Sequence, residues 1–120
     1  MAGTIVADTL THSTAGSIAT NYVVNGSAKA WALSASGASP LDSFNVSSVT
    51  DNSTGNYDFT ISSAMGSTNF VVAGMATALN KVNGTSRSSN TTTNIHIEVR
   101  NQATTLVDND AQPAIFGDLA

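Results

Sequence analysis

Residues 43–65 read SFNVSSVTDNSTGNYDFTISSAM, and two apolar-alternating runs on either side of a cluster of turn residues describe a β-hairpin. In the first run Phe44 and Val46 share a face, and in the second Tyr57, Phe59 and Ile61 do. Between them Asp51, Asn52, Ser53, Thr54 and Gly55 are residue types that reverse a chain, with Gly55 free to take the positive φ that ends such a loop. The hairpin sets the class of the fold as β, and the rest of the chain is read outward from it.

Upstream, Asn25-Gly26 lies between Tyr22-Val23-Val24 and residues 28–33, and this dipeptide strongly favours a tight turn, so a second hairpin is expected here. Along residues 28–33 the alternation puts Lys29, Trp31 and Leu33 on one face and Ala28, Ala30 and Ala32 on the other. The alanines allow another layer to approach closely, and Trp31, the single tryptophan, is expected to anchor the core. Residues 34–41 form a loop in which Pro40 interrupts any ladder.

Downstream, residues 69–79 are apolar on both faces and predict a strand buried on both sides, with Gly74 as a bulge or a point of close packing. After a polar loop that includes Asn83, Ser86, Arg87 and Asn90, residues 93–100 alternate again, with Ile95, Ile97 and Val99 inward and His96, Glu98 and Arg100 outward. Ala114-Ile115-Phe116 supplies a last strand. Seven or eight short strands predict an all-β domain, an antiparallel sandwich or jelly-roll-like barrel, over residues 21–120. Its expected core is Trp31, Phe44, Val46, Tyr57, Phe59, Ile61, Ile95, Ile97 and Val99. Residues 1–20 are expected to be an extended arm and connector in which Ile5, Val6 and Leu10 dock on the chain's own sheet, a neighbouring subunit or a larger assembly.

The 120 residues suit one domain. Charged residues are 10% of the chain and the net charge is −4, so solubility rests on Ser, Thr and Asn, and few charges would need desolvating in subunit contacts. Four scattered basic residues make no footprint for a phosphate backbone, which argues against nucleic-acid binding. There is no cysteine, so disulfides and thiolate metal sites are excluded. Neither a basic leader nor an apolar run of membrane-spanning length is present, which predicts cytoplasmic synthesis without membrane insertion.

Catalytic signatures are missing from the sequence. No serine sits in G-x-S-x-G, and His12 and His96 are far apart with no metal-ligand spacing. Asp108-Asn109-Asp110 offers oxygens but lacks the glycine and glutamate of an EF-hand loop, and reads as a solvated turn. The N-x-[ST] sequons at Asn25, Asn45, Asn52, Asn83 and Asn90 are expected from composition. No cofactor or metal is expected, and the chain reads as non-enzymatic.

Residues 25–31, NGSAKAW, followed by SFNVSS at 43–48, a turn with Thr54-Gly55 and an aromatic strand ending in Ala64-Met65, resemble a module of tail-fibre tips and other virion surface proteins of tailed bacteriophages. The likeness covers about residues 22–70, with a weaker echo at AIFGD, residues 114–118. It implies a homotrimeric virion component with other virion proteins, and a host surface glycan or protein, as partners. A small tail fibre or receptor-binding tip, a capsid decoration protein and a carbohydrate-binding module all stay open. For a fibre, the expected receptor-facing residues are Asp51, Asn52, Ser53, Thr54, Asn83, Ser86, Arg87 and Asn90.

Overall fold

A computed structural model describes residues 3, 6–35, 40–76, 81–85 and 87–120 of the chain. The fold is all-β: two four-stranded antiparallel sheets pack face to face as a sandwich, and a small two-stranded sheet and one short helix precede them. In chain order the elements are β1 (Thr9–His12), β2 (Gly16–Ala19), α1 (Thr20–Gly26), β3 (Ala30–Ser34), β4 (Pro40–Phe44), β5 (Val46–Ser53), β6 (Asn56–Ile61), β7 (Val71–Ala76), β8 (Lys81–Thr85), β9 (Asn94–Asn101) and β10 (Ala111–Phe116). The first sheet has the order β4-β3-β10-β7 and the second β5-β6-β9-β8.

The predicted central hairpin is β5-β6, closed by the two-residue turn Thr54-Gly55 between the paired Ser53 and Asn56. Phe44 is not part of it. At Asn45 the backbone takes a φ of 56°, and the chain leaves one sheet for the other. Phe44 therefore ends β4 opposite Trp31, while Val46 starts β5 opposite Ile61, and the expected shared face of Phe44 and Val46 does not exist. Asparagine tolerates this left-handed conformation better than most residues. Here its side chain also fixes the crossing: Nδ2 donates to Lys29 O at 3.0 Å and to Ser63 O at 3.2 Å, and Oδ1 accepts from Ser63 N at 2.7 Å.

The core is asymmetric. The second sheet contributes Val49, Tyr57, Phe59, Ile61, Ile95, Ile97 and Val99, all buried as expected apart from Val49, which the sequence reading missed. The first sheet meets them with Ala30, Ala32, Ser34, Ala76, Ala111, Pro113 and Ile115. Large residues from one layer fill the space that small residues leave in the other, which keeps the interior close-packed. This overturns the expected core role of Trp31 and Phe44. With Tyr57, Phe59 and the isoleucines already filling the interlayer space, β3 turns its alanine face inward and Trp31 outward. Val46 is half-buried and packs at the core margin.

Two further expectations fail for topological reasons. No hairpin forms about Asn25-Gly26, because β3 already has β4 on one edge and β10 on the other, leaving no free edge for residues 22–24. Those residues lie in α1 instead. The strand expected across residues 69–79 is β7; its end at 77–79 lies outside the described residues, and the remainder is a strand whose outer face is open, with Val71 and Met75 exposed. Gly74 is a close approach: a Cβ there would lie 2.6 Å from Gln112 O on β10.

Residues 9–26 form their own small unit. β1 and β2 pair from Thr9–Ala19 to His12–Gly16, and α1 begins where Thr20 N donates to Asp8 O at 2.8 Å and Thr20 Oγ1 to Ala7 O at 2.7 Å. Residues 11–20, expected as a plain connector, thus supply β2 and half of β1. None of the seven residues of α1 is buried.

Candidate functional site

The outer faces of the two sheets differ in chemistry. On the first sheet, one row of register partners runs across all four strands: Phe44, Trp31, Ala114 and Ala73. Phe116 and Val71 pair on one side of that row, and Gln112 and Met75 on the other, with Leu33 next to Gln112's strand. The row is open to solvent. Trp31 is 38% exposed, Phe44 54%, Val71 65% and Met75 73%. From these fractions the four side chains leave roughly 450 Å² of apolar surface in water, within the range of the largest patches on monomeric proteins, which are often functional.

Charge is confined to the rim of this face. Asp42 sits opposite Leu33, and Lys29 is turned to the start of β3, its ammonium taken up by the Val24 carbonyl and by Ser27 Oγ at 3.0 Å. Across the row, the small Ala114 of β10 separates the Trp31–Phe44 pair from β7. This outer face thus presents apolar and aromatic side chains to solvent, with its charged groups at the rim.

The second sheet's outer face is polar. Asp58 and His96 are register partners, with His96 Nδ1 2.7 Å from Asp58 Oδ1. His96 Nε2 faces Glu98 Oε1 at 3.9 Å, and Arg100 closes on Glu98 Oε2 through Nε at 3.0 Å and Nη2 at 2.7 Å. Burial pushes the Asp58 carboxyl up, but hydrogen bonds from His96, Asn52 and Asn94 outweigh it and hold the group below its ordinary value. Both imidazole nitrogens thus face carboxylates, Asp58 on β6 and Glu98 on β9. Among the described residues, no group of three or more His, Cys, Asp or Glu side chains is placed to hold a metal ion.

The remaining predicted residues scatter. Asp51, Asn52 and Ser53 form the exposed end of β5 and Thr54 lies in the turn, although Asn52 also bonds the Asp58 carboxyl and Ser53 Oγ accepts from Asn56 Nδ2 at 2.8 Å. Asn83 and Asn90 are structural instead: Asn83 lies within β8 and donates from Nδ2 to Met75 O at 2.7 Å, and Asn90 Oδ1 accepts from His96 N at 2.8 Å. Ser86 and the side chain of Arg87 lie outside the described residues, as does Ile5. Val6, 93% exposed, and Leu10 line an apolar cleft of about 470 Å³ with Ala7, Thr20, Val23 and Val24. Asp108 of the acidic turn is committed to the hairpin, where its Oδ1 accepts from Gly55 N at 2.8 Å.

No family model, curated protein or solved structure matches the chain. No helix among the described residues is long and apolar enough to cross a membrane.

The site that sequence reasoning missed is the exposed face of the first sheet. Its signal was present in the alternation of residues 28–33, where one face carries Trp31 and Leu33 and the other only alanines. Either face could have been the inner one, and the deciding quantity is the volume supplied by the opposite sheet.

Proposed function

We propose that this chain is a non-enzymatic structural protein of a bacteriophage virion surface, a small homotrimeric tail fibre or receptor-binding tip. The observation that carries this is that one residue from each of three segments of the resemblance meets the others as register partners in the first sheet. Trp31 of NGSAKAW pairs with Phe44 of SFNVSS on one side and with Ala114 of AIFGD on the other. Asn45 of SFNVSS ties back to the Lys29 carbonyl. Two aromatics of these segments, Trp31 and Phe44, are exposed, where they add little to the chain's own core. Exposed aromatics in a shared signature fit contact between chains.

On this reading the protein is made in the host cytoplasm and ends on the particle. Its apolar surfaces meet other copies and other virion proteins, and the tip formed by Asp51, Asn52, Ser53 and Thr54 meets a host surface glycan or protein. Gold-labelled antibody imaging of particles tests it directly: label at the tail tip is expected, and particles without label refute the virion role. Replacing the four tip residues together should reduce adsorption to cells while leaving particles intact. Unchanged adsorption, with capsids made fragile to heat by loss of the protein, would instead place it among capsid decoration proteins.

A further inference from the structure

We infer that the outer face of the β4-β3-β10-β7 sheet is the surface through which the chain associates with further copies of itself, anchored by Trp31, Phe44, Val71 and Met75. This deepens the homotrimer reading above and rests on it, by naming the face that does the joining.

Area is the first argument. The four anchors alone leave roughly 450 Å² of apolar surface exposed, against the ~800 Å² per partner that a stable interface buries. Leu33, Ala73, Ala114, Phe116 and the rim lie on the same face and are available for the difference.

Electrostatics select the occupant. Where copies converge on a symmetry axis, each group near that axis meets its own copies, so like charges there would face one another. This face escapes that penalty, because its charged groups, Asp42 and Lys29, stand at the rim, and Lys29 is already bonded to Val24 and Ser27. The other outer face shows the contrast. Stacking Trp31 and Met75 of one copy over Asp58, His96, Glu98 and Arg100 of the next would strip water from an ion-pair ladder and return no partners. Stacking of one sheet's outer face on the other's is therefore disfavoured, and apolar faces converging on a threefold axis form a closed assembly and not an open filament.

Because Trp31 is the single tryptophan, it reports on the contact without labelling. Sedimentation of the full chain should show a trimer whose Trp31 fluorescence is blue-shifted and resists iodide quenching; dilution to monomer should restore quenching. Met75→Glu and Phe44→Glu, both at exposed positions, should each weaken association by at least ~100-fold while leaving the β circular dichroism spectrum unchanged. A trimer that persists in both variants, or whose Trp31 is quenched as readily as in the diluted chain, overturns this assignment but leaves the trimer reading standing. A wild-type chain that is monomeric at all concentrations overturns both. If a variant fails to fold, the quenching of the wild-type chain still decides, since it needs no substitution.

Discussion

Gly55→Ala should be among the most damaging single-methyl changes in this protein. Gly55 ends the β5-β6 turn with a φ of 68°, and it is buried. An added Cβ would stand 2.7 Å from Val107 N, 2.7 Å from Val99 O and 2.9 Å from Val107 O, all backbone atoms that cannot rotate away. Those atoms are already engaged: Val107 N donates to Val99 O at 3.0 Å, and Val99 N donates to Gly55 O at 2.8 Å. The left-handed conformation alone costs an alanine about 1–2 kcal/mol. Moving the 107–108 segment aside would also strain the Val107–Val99 bond and the one from Gly55 N to Asp108, each worth about 1 kcal/mol. The total is about 3–4 kcal/mol, a large part of a typical stability of roughly 5–15 kcal/mol. Urea denaturation should therefore show a midpoint lowered by about 2 M at an unchanged slope of roughly 2 kcal/mol per M. Gly84→Ala serves as the control, since a Cβ there meets nothing closer than Glu98 O at 4.0 Å, and it should shift stability by less than ~1 kcal/mol. A Gly55→Ala midpoint within ~0.5 M of wild type would refute the claim that the turn is locked by Val99 and Val107.

Asn45→Ala removes three hydrogen bonds at the crossing between sheets and forces alanine into a positive φ, so denaturation should report a loss of about 2–4 kcal/mol. Phe59→Ala should cost about 3–5 kcal/mol, whereas Trp31→Ala, measured on dilute monomer, should cost less than half as much; equal losses would return Trp31 to the core. The Asp58 carboxyl is held below its ordinary value of 3.8 in the folded chain, so its contribution is present above that pH and fades as the pH falls further. Thermal melts of Asp58→Asn and wild type should accordingly differ at pH 6 and draw together as the pH falls below 3.8. Deleting residues 1–26 should leave the circular dichroism and melting of the sandwich nearly unchanged, because β1, β2 and α1 are exposed and make their main contacts with one another.

Strands with strict alternation were fully legible. Residues 94–101 carry the burial pattern that their sequence announces, because both the inward isoleucines and the outward His96, Glu98 and Arg100 point to the same face assignment. The first sheet was less legible, since β3 and β7 have apolar residues on both faces and a single chain does not say which face has the larger partner. Asn45 shows a different limit. Its alternation with Phe44 and Val46 predicts one strand, and only the left-handed backbone at that residue, which its side-chain bonds to Lys29 and Ser63 stabilise, splits it into two. The helix at Thr20–Gly26 was illegible for a related reason, since Asn25-Gly26 forms a hairpin only where a strand edge is free to receive it.

The same asymmetry that misled the core assignment gives the molecule two distinct outer surfaces. If the first sheet had brought its large residues inward, Trp31 and Phe44 would compete with Tyr57 and Phe59 for one interlayer space, and overpacking of that kind is destabilising. By lining its inner face with alanines, the first sheet lets the second fill the core nearly alone. Its own large side chains then become available to another chain, while the second sheet's outer face holds charges that keep it in water. With charged residues at only 10% of the chain, their placement matters more than their number: the strands of the first sheet carry Asp42 alone, and its outer face is left apolar.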